Sequence, residues 1–148
     1  MFKSHMDAAL AQARAAAQRG EVPVGAVLVA PDGSIAAQAG NRTRELSDPT
    51  AHAEILVLRE ACVAAKTERL HGFDLYVTLE PCAMCAAAIA AARLRRVYYG
   101  ASDPKSGGVA HGACVFSHPQ AHHAPEVYEG IAEVEAAELL RAFFSERR

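Results

Sequence analysis

The chain has 148 residues, half of them hydrophobic (51%), which suits one domain with a full core. Lys and Arg number 15 against 17 Asp and Glu, a net charge of −2, and this balance argues against an obligate nucleic-acid binder with a basic footprint. Four Cys, two of them in a CxxC, read as metal chemistry in a reducing cytosol rather than as a disulfide framework. The first residues carry Lys3, His5 and Asp7 and no apolar stretch of signal-peptide type, and no charge-free apolar run is long enough to span a bilayer. The expectation is a single domain over residues 1–148, cytoplasmic and off the membrane.

The pattern predicts an Ala-rich helix from Met6 to Arg19, ended by Gly20. Val24 to Ala30 reads as a strand, Pro31-Asp32-Gly33 as a turn, and Ser34 to Ala39 as the returning strand of a hairpin. Asn41 to Pro49 is polar and irregular. Ala51 to Ala65 has helical periodicity, with Ile55, Leu58 and Cys62 on one face. Asp74 to Leu79 is a strand, and Pro81 sits near the first turn of a helix running to Ala92. Arg96 to Tyr99 is a short strand, Ala101 to Pro125 a long Gly-, Ser- and His-rich loop, Tyr128 a marker of a short strand, and Val134 to Phe144 a closing helix. This order predicts an α/β fold of three layers, α/β/α, around a mixed five-stranded sheet.

Two short motifs carry chemistry. His52-Ala53-Glu54 opens one predicted helix and Pro81-Cys82-Ala83-Met84-Cys85 opens another. One His and two Cys make three zinc ligands, leaving a fourth tetrahedral position for water, the arrangement of a catalytic site. The i, i+3 spacing puts both sulfurs on one face of a turn, and a helix N-terminus favours their thiolate forms. Glu54 stands where it can move protons beside the metal: zinc activates water for attack on an amidine-like ring carbon, and Glu54 relays protons to the ring nitrogen and the departing amine. A CxxC with a distant His also suits a zinc staple without catalysis. A redox CxxC is disfavoured, because Pro81 precedes it and the His-x-Glu would then be coincidental.

The H-x-E and P-C-x-x-C pair is the signature of zinc-dependent nucleobase deaminases. A wider stretch of the chain resembles the bacterial tRNA-specific adenosine deaminases of the cytidine/deoxycytidylate deaminase superfamily: residues 21–29 (EVPVGAVLV), Asn41-Arg42, residues 48–54 (DPTAHAE), 75–85 (LYVTLEPCAMC) and 100–108 (GASDPKSGG), Glu129-Gly130-Ile131, and Leu140 to Phe144 with Arg147-Arg148. The resemblance implies the cytidine-deaminase-like fold and hydrolytic deamination of a tRNA wobble adenosine to inosine, with the arginine tRNA of anticodon ACG as substrate. A homodimer holding one Zn²⁺ per subunit and binding the tRNA anticodon stem-loop goes with it. By matched positions, His52, Cys82 and Cys85 would bind zinc and Glu54 would shuttle protons. Val24, Asn41 and the Ala53 N–H would meet the base or the bound water, Asp103 and Lys105 the neighbouring nucleotide, and Phe144 the anticodon nucleotides beside a basic tail of Arg147 and Arg148. A free nucleobase or nucleoside deaminase of guanine or cytosine type shares the core signature and is the alternative.

Plainer roles compete for several of these residues. Asn41 can cap its loop, Asp103-Pro104 can initiate a turn, and Phe143 is expected in the core. Arg93, Arg95 and Arg96 read mostly as a solvated face, and Cys62 as an inert core thiol. His111, His118, His122 and His123 lie in a polar loop without acidic or Cys partners at fixed spacing, which disfavours a second metal site. Low net charge is compatible with anticodon-loop recognition, which splays unpaired bases into pockets and needs only a local basic stripe, here Arg42, Arg44, Lys105, Arg147 and Arg148.

Overall fold

The computed structural model of the chain describes residues 4–147; Arg148 of the expected basic tail lies outside them. The elements are α1 (Met6–Gln18), β1 (Gly25–Val29), β2 (Ile35–Gly40), α2 (Ala53–Ala65), β3 (Asp74–Leu79), α3 (Ala83–Ala92), β4 (Arg96–Ala101), β5 (Glu126–Tyr128) and α4 (Glu133–Glu146). They form one five-stranded sheet of order β2-β1-β3-β4-β5. β1 runs antiparallel to both β2 and β3, while β3, β4 and β5 are parallel. This is the mixed α/β arrangement of a cytidine-deaminase-like fold.

Alternation along the strands builds a core on each face. Ala26 and Leu28 of β1, Leu75 and Val77 of β3, and Val97 and Tyr99 of β4 pack with Val57, Leu58 and Ala61 of α2 and Ile89 of α3. The intervening Val27, Val29, Tyr76 and Tyr98 turn to the opposite face, against Met6, Ala9 and Leu10 of α1 and Ala136 of α4. The α1 residues recur at helical spacing, so a single apolar stripe meets the sheet.

Besides shifts of one or two residues elsewhere, four differences from the expected elements bear on the site. α2 starts at Ala53 and α3 at Ala83, because His52 (ψ 152°) and Cys82 (ψ 173°) are extended residues at the helix entrances rather than members of the first turn. β4 continues to Ala101, which pairs with Leu79 of β3. The long loop is not wholly irregular: a 3-10 turn spans Val115–Ser117, with the Val115 N–H on the Gly108 carbonyl. Among the described residues, no helix is long and apolar enough to cross a membrane.

Register decides where the site can form. Gly25 at the start of β1 pairs with Gly40 at the end of β2, and Leu79 at the end of β3 pairs with Ala101 at the end of β4. Since β1 opposes β3, Val24, Asn41, Glu80 and Ser102 all leave the sheet at one end. That end holds the carboxyl termini of the parallel strands, where open α/β sheets bind ligands.

Gly25 fixes the approach of α1 to this end. A Cβ there would collide with the Ala9 carbonyl and lie 2.5 Å from the Ala13 nitrogen, while the Gly25 N–H donates to the buried Thr78 Oγ1 at 3.1 Å. Gly25→Ala is expected to destabilise the fold by about 1–3 kcal/mol through overpacking, read as a lowered urea midpoint with the circular dichroism of the folded protein unchanged.

Candidate metal centre and substrate cavity

α2 and α3 aim their N-termini at one point. His52 Nδ1 lies 3.7 Å from Cys82 Sγ and 3.5 Å from Cys85 Sγ. The three donor atoms all fall within 4.8 Å of one another. Zinc–sulfur bonds of about 2.3 Å and zinc–nitrogen bonds of about 2.0 Å at tetrahedral angles require nitrogen–sulfur separations of roughly 3.5 Å. The spacing and the soft donor set therefore fit zinc. Among the described residues, this is the group of His, Cys, Asp and Glu side chains that clusters so.

The electrostatics suit a cation. Cys82 is pulled down to about 4, first by the hydrogen bond from Cys85 and then by that from His52, so it carries the pair's thiolate charge. Cys85, the donor in that pair and fully buried, is pushed up. His52 is raised, chiefly by its hydrogen bond to Cys82. A metal replaces these shared protons and takes both sulfurs as anions.

Glu54, in the first turn of α2, is 3% exposed and its Oε1 has no hydrogen-bond partner. Burial pushes its carboxyl above the ordinary value, against the pull of its own backbone N–H and of His52. An unpartnered buried carboxylate oxygen is costly in a folded protein unless a ligand or proton uses it. A cavity of about 230 Å³ joins it to His52, Cys82, Val24, Asn41, Asp103 and others.

Two further buried carboxylates shape this cavity. Glu21, just past α1, accepts the N–H groups of Arg44 (3.2 Å) and Glu45 (2.8 Å), holding the loop that carries Asn41 and Thr43. Glu80, just past β3, accepts the N–H of Asp103 at 3.0 Å and those of Val109, Ala110 and His111 at 3.2, 2.9 and 3.2 Å. Burial alone would raise the Glu80 carboxyl, but these donors and the His111 ring outweigh it and hold it below the usual carboxylate range. Neither Glu stood out in the sequence as a functional residue. The available signal was an acid placed directly beside an apolar strand, where only a dense set of donors can satisfy it.

Asn41 and Ala53 come together differently from expectation. Asn41 Oδ1 accepts the Ala53 N–H at 2.9 Å, capping α2 across the loop. The Ala53 N–H is thus occupied by Asn41, because the entrance residue His52 offers no side-chain cap.

Val24 is 6% exposed and shares the cavity wall with Asn41. Asp103, Lys105 and Phe144 line a second cavity of about 760 Å³ with Leu140 and Arg141. Val22, Leu79, Asp103 and Ser106 border both cavities, so the two lie side by side.

Phe143 is 6% exposed and Phe144 49% exposed, which separates a core ring from an available one. The expected basic stripe is not a row of free cations. Arg42 is hydrogen-bonded to Glu45, and the Arg147 guanidinium lies 3.6 Å from the centre of the Phe143 ring. Arg95 is held by Asp74 at 3.0 and 2.7 Å, and Arg96 by Glu126 at 3.5 Å. Cys62 packs half-buried against the main core. His111 does have an acidic partner, with its Nδ1 2.8 Å from Glu80 Oε1, and His123 Nε2 meets the Leu94 carbonyl at 2.6 Å.

A model of the cytidine and deoxycytidylate deaminase zinc-binding region matches residues 2–101. A tRNA-specific adenosine deaminase from Agrobacterium fabrum is 64% identical over 143 residues, covering 97% of this chain and 93% of the relative. One from Bacillus subtilis is 44% identical, over 97% of this chain and 89% of the relative. A structure solved in a study of A-to-I editing by tRNA:A34 deaminases at the wobble position of transfer RNA superposes with a TM-score of 0.90 at 62% identity. It covers 93% of this chain and 100% of that one. A guanine deaminase from Bacillus subtilis superposes with a TM-score of 0.67 at 29% identity, over 98% of this chain and 94% of that one. With its three zinc ligands converged at the entrances of α2 and α3, the chain belongs to the cytidine and deoxycytidylate deaminase zinc-binding family, and within it to the tRNA-specific adenosine deaminases.

Proposed function

We propose that the chain, as one zinc-dependent domain over residues 1–148, hydrolyses the exocyclic amine of the wobble adenosine of a tRNA, giving inosine and ammonia. The observation that carries this reading is that the two cavities lie side by side and share lining residues. The inner one is lined by His52, Cys82 and Glu54, whose Oε1 has no partner, and the outer one offers Phe144 and Lys105 to adjoining nucleotides. A free base needs only the first. The relatives named above as tRNA deaminases support the same substrate. Within that class we take the arginine tRNA with anticodon ACG as substrate and the cytoplasm as the place of action.

His52, Cys82 and Cys85 would hold one zinc per subunit. When bound, zinc supplies Lewis acidity that makes water a nucleophile near neutral pH. Glu54 Oε1 takes a proton from the attacking water and returns it to the purine N1 as the C6–O bond forms. Glu54 then takes the proton of the new C6 hydroxyl and passes it to the amine, so that the C6–N bond breaks with loss of ammonia as the C6 carbonyl forms. Its burial keeps that carboxyl basic enough for both steps. Because Asn41 Oδ1 is committed to the Ala53 N–H, its amide NH₂ is what remains for a base, a donor matched to a purine ring nitrogen. Phe144 gives a face on which an unpaired base stacks, and Lys105 a cation for phosphate.

A homodimer is part of this reading. α3 is apolar on every side, yet Ala83, Met84, Ala87 and Ala91 face outward and exposed. A helix of that composition is ordinarily covered.

The direct test offers purified protein an anticodon stem-loop, free adenosine, guanine and cytidine, and follows inosine and ammonia. Inosine in the stem-loop alone is expected, whereas turnover of guanine without turnover of RNA would replace this reading with that of a free-base deaminase. Glu54→Gln is expected to retain zinc by metal analysis while kcat falls by about 10²–10⁴, the usual weight of general acid–base catalysis; an unchanged kcat would remove Glu54 from proton transfer.

A further inference from the structure

We infer that Glu80 is a positioning residue that sets the outer wall of the substrate cavity against the metal ligands. It borders the inner cavity, but both its oxygens are taken by the protein itself rather than left for metal or substrate. Its carboxylate is 2% exposed and collects five donors, all from the segment 103–111. Three of them are the successive N–H groups of Val109, Ala110 and His111 on Oε2, a backbone nest of the kind that binds anions, here filled by the protein's own side chain. The fourth N–H, from Asp103, and the His111 ring nitrogen meet Oε1. A carboxylate has about four lone-pair sites, so Glu80 is saturated and its rotation is fixed.

The same segment is tied to the ligand strand a second way. The Gly108 N–H donates to the Pro81 carbonyl at 2.8 Å, and a Cβ on Gly108 would lie 2.5 Å from the Ala83 nitrogen. Asp103 and Ser106, which border both cavities, hang between these two anchors, with the Ser106 N–H on Asp103 Oδ1 at 3.0 Å. Gly107 is confined by the same carboxylate. A Cβ there would collide with Glu80 Oε2 and lie 2.5 Å from the Asp103 carbonyl. Glu80 therefore couples the distance between Cys82 and the Asp103–Ser106 wall to one side-chain rotamer. Its consequence for catalysis rests on the RNA reading above, since that wall faces the nucleotide next to the reacting base.

The test uses Glu80→Gln and Gly107→Ala in the zinc-loaded protein, with Leu10→Ala, in the core on the α1 face of the sheet, as a destabilised control. Glu80→Gln keeps the shape but turns two acceptor oxygens into one oxygen and an NH₂ facing donors. Gly107→Ala keeps the charge and displaces the carboxylate. Three readouts are taken: zinc content, amide exchange at residues 103 and 109–111, and KM with kcat on the stem-loop. Both wall variants are expected to retain zinc, to exchange those amides at least about tenfold faster, and to raise KM about tenfold to hundredfold with kcat changed much less. Leu10→Ala should lower stability without that KM change. Unchanged exchange and KM in either folded, zinc-loaded wall variant would overturn the inference, as would zinc loss in both. If the wild type leaves the stem-loop untouched, the RNA reading fails, and the exchange rates still decide whether Glu80 holds the wall.

Discussion

The Glu80 carboxylate receives four backbone N–H groups and one imidazole from a loop that begins more than twenty residues after it in the chain. Buried N–H groups must find acceptors, and a tight Gly-rich loop has few carbonyls facing inward to offer. One saturated acid at the end of β3 resolves that constraint. In doing so it brings the 102–111 segment onto the strand that continues into Cys82. Glu21 does the same on the other side, receiving the Arg44 and Glu45 N–H groups and holding the loop that begins at Asn41. The cavity between these loops thus has walls fixed by charge-assisted hydrogen bonds, which are worth more than neutral ones in a dry interior.

Sheet register supplies the rest. Reversal of β1 between β2 and β3 brings the end of β2, the start of β1 and the ends of β3 and β4 to one edge. Two helices then begin there, each entered through an extended residue that is also a metal ligand, His52 and Cys82. Neither entrance residue makes a side-chain cap, so both side chains are available to a cation. The cap of α2 comes instead from Asn41 on the neighbouring loop. Metal binding and helix entry are thereby solved by the same few residues.

The layered fold and the ligand set were legible because they rest on local signals. The β-branched and aromatic content of Asp74–Leu79 and the apolar stripe of α1 are such signals, and three soft donors at helix entrances have few other uses. What the chain did not disclose by inspection depends on contacts between distant segments. Asn41 as the cap of Ala53, Glu80 as the acceptor for His111, and the ion pairing of Arg42 by Glu45 have no periodicity to read. Helix starts shifted by two residues for a related reason: an extended ψ at His52 is set by what it faces, not by propensity. The division between Phe143 and Phe144 was readable from spacing to Leu139 and Leu140, whereas the placing of Phe144 in a cavity beside the metal site was not.

The central claim is that His52, Cys82 and Cys85 converge to hold one zinc beside the buried Glu54, whose Oε1 has no partner. X-ray absorption at the zinc edge, with metal analysis of the same sample, tests it most directly. One zinc per chain is predicted, with two sulfur neighbours at about 2.3 Å and one imidazole nitrogen at about 2.0 Å. A shell of sulfur alone, or zinc retained at full occupancy after Cys85→Ala, would contradict the account.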